Sequence, residues 1–152
     1  MRRQHVFTKF LGICKRILAN GIKKFDLELG IISHIDKDAY TLIVVEDSSD
    51  VFKANSVFQL GDTYCREVIN RANSVAIPMQ NQPERLKTHP LYDIMPLEAY
   101  ISSPILYNGK IWGTINFSST KERQAFTPED VEFNERLASD LSASLYAEEN
   151  HK

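Results

Sequence analysis

The sequence predicts an α+β fold with a central sheet, and three stretches carry the prediction. Asn108-Gly109 separates two runs rich in Ile, Leu, Tyr, Trp and Phe. Asn-Gly is the strongest short-range hairpin signal, because a type I′ turn needs positive φ at both central residues. Strands are therefore expected near 99–107 and 110–118. Downstream, Thr127 stands as an N-cap, Pro128 at the first helical position and Asp130 where an acid answers the cap, which predicts a C-terminal helix. At the other end Phe7, Phe10, Leu11, Cys14, Ile17, Leu18 and Ile22 recur at three- and four-residue steps. That spacing places them on one face of a helix over residues 5–22.

Between these stretches, Asn20-Gly21 is expected to end or bend the first helix. Leu29, Ile31, Ile32 and Ile35 suggest a strand, Asp36-Lys37-Asp38 a turn, and Tyr40 to Glu46 a central strand. Residues 47–50 read as loop, and Val57 to Leu60 as a short strand. Asp62 or Thr63 caps a helix carrying Cys65, Val68, Ile69 and Ala72. Val75-Ala76-Ile77 is a short strand closed by Pro78. Residues 79–97 differ in kind, since Pro83, Pro90 and Pro96 interrupt a polar stretch that has room for one short helix around Glu84 to Tyr92. So long an irregular segment inside a compact domain is usually functional or mobile. The final helix carries a ridge of Phe133, Leu137, Leu141 and Leu145. The two terminal helices should lie together on one face of the sheet.

At 152 residues the chain reads as one domain, residues 1–152, with its core over about 25–147. The formal charge of −2 is uneven: Arg2, Arg3, Lys9, Lys15, Arg16, Lys23 and Lys24 precede the first acid. These basic residues alternate with an apolar stripe, and no aromatic stacking groups are interleaved on the polar side. They read as the solvated face of a helix, not as a nucleic-acid or membrane site. Lys9, Lys15 and Arg16 interrupt every candidate signal-peptide core, although the composition also suits a mitochondrial presequence. No run approaches the ~20 apolar residues that span a bilayer. Cys14 and Cys65 lack metal or redox spacing, so a reduced, cytoplasmic setting is the simplest expectation. The sequon at Asn116 falls in an expected strand and has no secretory context.

The order of elements resembles a GAF domain, a small-molecule-sensing relative of PAS domains. The resemblance covers roughly residues 10–147. It rests on LGDTYCREVI, VAIP, ISSPILYNGKIWGTINF and FTPEDVEFNERLASDLSASL, the last two at this spacing being the specific part. It implies a six-stranded antiparallel sheet with the terminal helices on one face. A ligand pocket with short helices would occupy the other face, under a lid formed by residues 79–98. Departures narrow the ligand. Phe126 and Asp130 keep the Phe-x3-Asp spacing of phosphodiesterase GAF domains, but Val131 replaces the Glu and no Asn-Lys pair precedes Phe126, so cyclic nucleotides are not supported. Cys65 is followed by Arg66, not the His that accompanies a bilin-bearing Cys, and haem would have only His89 as a candidate ligand. The cysteine cluster of the methionine-sulfoxide-reducing GAF proteins is absent.

A two-residue Asn108-Gly109 loop fixes a hairpin register, and a one-residue slip would exchange its faces. Counting outward from the loop, Ile105 opposes Trp112, Ser103 opposes Thr114 and Ile101 opposes Asn116. Ser102, Pro104, Ile115 and Phe117 share the second face. That second face is the more apolar around Ile115 and Phe117 and is assigned to the helices. The first is then a pocket wall of Ser103, Thr114, Asn116 and Ile101, mostly apolar with a few polar groups. Gln80, Arg85, His89 and Tyr92 would come from the lid. Cys65 reads first as a small buried residue and second as a redox thiol beside Arg66.

No nucleophile–base–orienter set, phosphate loop or metal-spaced cluster is present, so catalysis is not expected. Glu129, Asp130, Glu132 and Glu135 complement the dipole of the last helix. Two functions from different classes stay open. One is a non-catalytic regulatory module in signal transduction, which binds a small molecule between sheet and lid and signals through the terminal helices. The other is a structural dimerisation module with an empty pocket. A homodimer through the terminal helices is expected in either case. The output is left open between a separate partner protein and a longer chain.

Overall fold

A computed structural model describes residues 2–47, 53–59, 74–77, 98–121 and 123–149. The elements run α1 (Arg2–Phe25), β1 (Leu29–Asp36), β2 (Ala39–Asp47), β3 (Val57–Gln59), β4 (Val75–Ile77), β5 (Ala99–Tyr107), β6 (Lys110–Ser119) and α2 (Pro128–Glu149). The six strands form one antiparallel sheet in the order β3-β2-β1-β6-β5-β4. Both the α+β class and the six strands are as the sequence led one to expect. The expected helix over 62–72 and most of the segment 79–98 lie outside the described residues.

Local chemistry explains the element ends. Asn108 and Gly109 have φ of 52° and 76°, the two positive values a type I′ turn demands. Lys37 takes φ of 56° in the β1–β2 turn. At the start of α2 the Thr127 N–H donates to Asp130 Oδ2 at 2.9 Å, and the Asp130 N–H donates to Thr127 Oγ1 at 3.1 Å. This reciprocal capping box satisfies two donors that the first turn would otherwise leave open.

Asn20-Gly21 does not end α1, which continues to Phe25 and closes with Asp26 at φ of 56°. Gly21 is there for space. A Cβ at Gly21 would overlap the Phe117 ring, and one at Gly30 would lie 3.1 Å from it. The ring of Phe117, fully buried, fills the gap between a helix and a strand that both lack a side chain.

α1 and α2 pack side by side on one face of the sheet. Phe25 meets Phe133 at 5.6 Å and Phe126 at 6.0 Å between ring centroids, so the end of α1 lies beside the start of α2 and the helices are antiparallel. Phe10, Cys14, Leu18, Leu137, Ala138 and Leu141 join Ile32, Val44, Ile101, Ile105, Ile115 and Phe117 in one core. At about 1.5–3 kcal/mol for each large apolar side chain removed from water, this layer is the main stabilising contact of the described fold.

The hairpin register departs from the one expected. Tyr107 pairs with Lys110 and Leu106 with Ile111, as the turn dictates, but Ile105 then pairs with Gly113. Trp112 is an extra residue, a β-bulge. Beyond it Pro104 pairs with Thr114, Ser103 with Ile115, Ser102 with Asn116 and Ile101 with Phe117. The β6 assignments stand: Ile115 and Phe117 face the helices and Thr114 and Asn116 face away. The β5 assignments are reversed. Ile101, Ser103 and Ile105 face the helices, and Tyr100, Ser102 and Pro104 face away. Trp112 also turns toward the helices, meeting Phe10 edge-on at 6.0 Å and His34 at 4.5 Å. A second irregularity between Ile32 and Ser33 leaves Ile43 as the extra residue on β2. Both bulges thus lie against the same part of β1.

Candidate functional site

The face of the sheet away from the helices carries a row of buried polar side chains. Ser33 on β1 sits opposite Thr114 on β6, with their hydroxyl oxygens 2.7 Å apart. The Thr114 N–H donates to Ser33 Oγ at 3.3 Å. Two residues along, Asn116 Nδ2 donates to the Tyr40 hydroxyl at 3.1 Å and lies 3.4 Å from Thr114 Oγ1. Ser102 pairs with Asn116 in the strand register, and Ser118 continues the row. All are buried, as are Leu29, Ile31, Leu42, Val75 and Tyr100 on the same face. A buried hydroxyl or amide stays buried only when bonded, and these four side chains supply one another.

Of the residues predicted for the site, Thr114 and Asn116 share this face. Ser103 and Ile101 do not, because the bulge at Trp112 turns them over. Ile101 is part of the helix-side core. Ser103 is fully buried and accepts a hydrogen bond from Asn134 Nδ2 of α2 at 2.9 Å. Its hydroxyl also lies 2.8 Å from that of Ser74, just before β4. Asn134 Nδ2 reaches the Ile115 carbonyl oxygen at 3.4 Å. A polar clasp therefore fastens α2 to β5 and β6, while Asn134 Oδ1 has no partner among the described residues. Gln80, Arg85, His89, Tyr92 and Cys65 lie outside the described residues.

Sequence reasoning did not single out Ser33, Tyr40 or Asn134. Ser33 and Tyr40 carried a legible signal: each is a polar or amphipathic group in an alternating apolar strand, two residues from Ile31 or Leu42 on the same face. Asn134 was hidden, because its neighbour Phe133 completes a regular i, i+4 apolar ridge.

Cys14 is fully buried on α1, and burial pushes its thiol up to about 12, only partly offset by a backbone hydrogen bond. It is a packing residue, not a reactive one. Among the described residues no group of His, Cys, Asp and Glu side chains is placed to hold a metal ion. Among the same residues no helix is long and apolar enough to cross a membrane.

A family model of the GAF domain matches residues 10–145. The chain belongs to the GAF domain family. Solved structures agree on the fold. Residues 122 to 287 of a methyl-accepting chemotaxis protein are 13% identical and superpose at a TM-score of 0.76, over 100% of this chain and 99% of that one. The GAF domain region of a putative membrane protein from Geobacter sulfurreducens is 17% identical at a TM-score of 0.73, over 94% and 97%. The blue-light absorbing form of the Thermosynechococcus elongatus PixJ GAF domain is 16% identical at a TM-score of 0.67, over 96% and 89%. Among curated protein sequences no relative matches the chain. In this GAF domain the polar row on β1, β2 and β6 and the helical layer occupy opposite faces of one sheet.

Proposed function

We propose that this GAF domain is a non-catalytic regulatory module that holds a small molecule against the face of the sheet opposite α1 and α2 and reports it through those two helices. The observation that carries the reading is the buried row of Ser33, Thr114, Asn116 and Tyr40 among Ile31, Leu42 and Tyr100. A mostly apolar wall with a few convergent polar groups is the usual make-up of a ligand pocket. Gln80, Arg85, His89 and Tyr92 complete the proposed site as its lid. Two of the structural neighbours, part of a methyl-accepting chemotaxis protein and a blue-light absorbing GAF domain, support the regulatory reading.

The route to the helices is one residue long. Ser102 lies on the pocket side beside Asn116, and the next residue, Ser103, bonds Asn134 of α2. Thr114 lies on the pocket side, and the carbonyl of the next residue, Ile115, accepts from the same Asn134. A ligand that shifts β5 or β6 moves the acceptors to which α2 is fastened.

Thermal unfolding against cyclic nucleotides, amino acids, purines, tetrapyrroles and small organic acids tests the reading. A true ligand at 100 times its Kd adds about 2.7 kcal/mol, which for a domain of this size raises Tm by about 5–10 °C. The shift is expected to be reduced in Asn116→Ala and Thr114→Val. No response across the panel would sink the proposal.

A further inference from the structure

Among the described residues every buried polar side chain is uncharged: each is a Ser, Thr or Asn, and the phenols Tyr40 and Tyr100 are buried with them. On the face opposite α1 and α2, Thr114, Asn116 and Ser118 follow one another at two-residue steps along β6. They make a polar stripe about 14 Å long. Apolar side chains flank it, with Leu29 beside Ser118 and Ile31 beside Asn116 on β1, and Tyr100 beside Ser118 on β5.

The stripe offers an ion little to replace its water. β6 lies between β1 and β5, so its backbone N–H groups are engaged by the neighbouring strands. Ser33 and Thr114 bond each other, and the Asn116 amide donates to Tyr40. Asp47, paired with Leu29 at the end of β2 and half-buried, adds a carboxylate at the rim, which repels a second anion. An ionised group brought to this wall exchanges its hydration for neutral dipoles already turned toward one another, and burying a charge without a partner charge is among the costliest transfers. A neutral amide, lactam or nucleobase gives up far less on leaving water, and hydroxyl and amide side chains return its hydrogen bonds in kind.

We infer that the group this domain buries against its sheet is uncharged and hydrogen-bonding, of the amide, lactam or nucleobase class, and that phosphates and carboxylates are refused. The inference deepens the ligand reading and rests on it. Selectivity then comes from the penalty on the ionised competitor as much as from contacts to the neutral one.

One test needs no ligand. Asn116→Asp puts a carboxyl group of nearly the same size into the stripe. Burial disfavours its ionised form and raises its pKa in the folded chain. The unfolded chain ionises near the ordinary value of about 3.9, so the Tm deficit against wild type is expected to widen from pH 4 to pH 7, by about 5 °C or more. A deficit that does not change with pH shows a wall that accepts charge and overturns the inference. Should Asn116→Asp not fold at either pH, Ser118→Asp carries the same probe at the end of the stripe and is read in the same way.

The second test compares matched pairs by thermal unfolding at pH 7.5: nicotinamide with nicotinate, benzamide with benzoate, uracil with orotate. At least one neutral member is expected to raise Tm, less so in Asn116→Ala, and its ionised partner to bind about tenfold or more weakly. An ionised member that raises Tm in the wild type and not in Asn116→Ala overturns this inference and leaves the ligand reading standing. Silence from every pair and from the wider panel overturns both.

Discussion

Gly113 on β6 packs its Cα directly against the backbone of Ser33 on β1. A Cβ at Gly113 would overlap the Ser33 carbonyl oxygen, lie 2.8 Å from its carbon and 3.1 Å from the Cα of His34. The obstacle is backbone in the middle of a sheet, which cannot swing aside. Gly113 directly follows Trp112, the bulged residue, so this contact belongs to the irregularity that exchanges the faces of β5. His34 adds a fastening, its Nδ1 lying 2.8 Å from the Trp112 carbonyl oxygen.

Gly113→Ala is accordingly expected to cost about 3 kcal/mol, at the upper end of overpacking penalties. Urea denaturation measures it. Because Trp112 is the sole tryptophan, its emission spectrum should shift in the same variant if the bulge rearranges.

Gly21→Ala separates helix propensity from packing. In an open helix the change would stabilise by about 1 kcal/mol. Here the new methyl meets the Phe117 ring in the core, and a net loss of about 2 kcal/mol is expected. Combining it with Phe117→Leu should cost less than the sum of the two single changes, since the pair is in contact. Strict additivity in denaturant melts would show that the two residues do not press on each other.

The clasp between α2 and the sheet is read by a double-mutant cycle. Asn134→Ala is expected to lose about 2 kcal/mol, because Ser103 Oγ and the Ile115 carbonyl each give up a buried partner. Ser103→Ala alone should cost less, and the coupling energy of the pair should be about 1 kcal/mol. If the clasp carries a ligand signal to α2, Asn134→Ala also leaves ligand affinity nearly unchanged while uncoupling hydrogen exchange in α2 from binding.

Cys14 predicts a pH dependence. Its thiol is held up to about 12 in the folded chain, against an ordinary value of 9.0. Above pH 9 the unfolded chain sheds this proton while the folded one keeps it, so this group's contribution to stability falls as pH rises from 9 toward 12. A thiol reagent at pH 8 should leave Cys14 unmodified in the native protein and label it after denaturation, as mass spectrometry of the peptide would show.

Removing the cap oxygen with Thr127→Ala should cost about 1 kcal/mol and lower Tm by about 2–4 °C. The Asp130 carboxylate would keep the backbone N–H of residue 127 and Arg123, so Asp130→Ala on top of it should add a further loss of about 1 kcal/mol.

The particular residues show what a sequence carries and what it withholds. Asn108-Gly109, Thr127, Pro128 and Asp130 each act within a few residues of themselves, and each does in the fold what it announces in the sequence. The apolar steps of α1 and α2 likewise needed only helical geometry to be read. Thr114 and Asn116 were legible as facing away from the helices, because Ile115 and Phe117 alternate with them on an unbroken part of β6. Ser103 and Ile101 were not, although a signal existed: glycine inside a strand marks a bulge or a close backbone approach, and Gly113 makes the close approach directly after the bulged Trp112.

By itself, then, the sequence determined the two terminal helices, the strands, the capped start of α2, the hairpin turn and the α+β class, since local sterics, capping and periodicity suffice for those. The tertiary structure decided which residues of β5 face which layer. It decided that Gly21 belongs inside a helix and that Asn134 is the buried link between helix and sheet. Those outcomes depend on contacts between residues tens of positions apart, the backbone of Ser33 against Gly113 and the ring of Phe117 against Gly21, and no local pattern encodes a neighbour that only folding brings near.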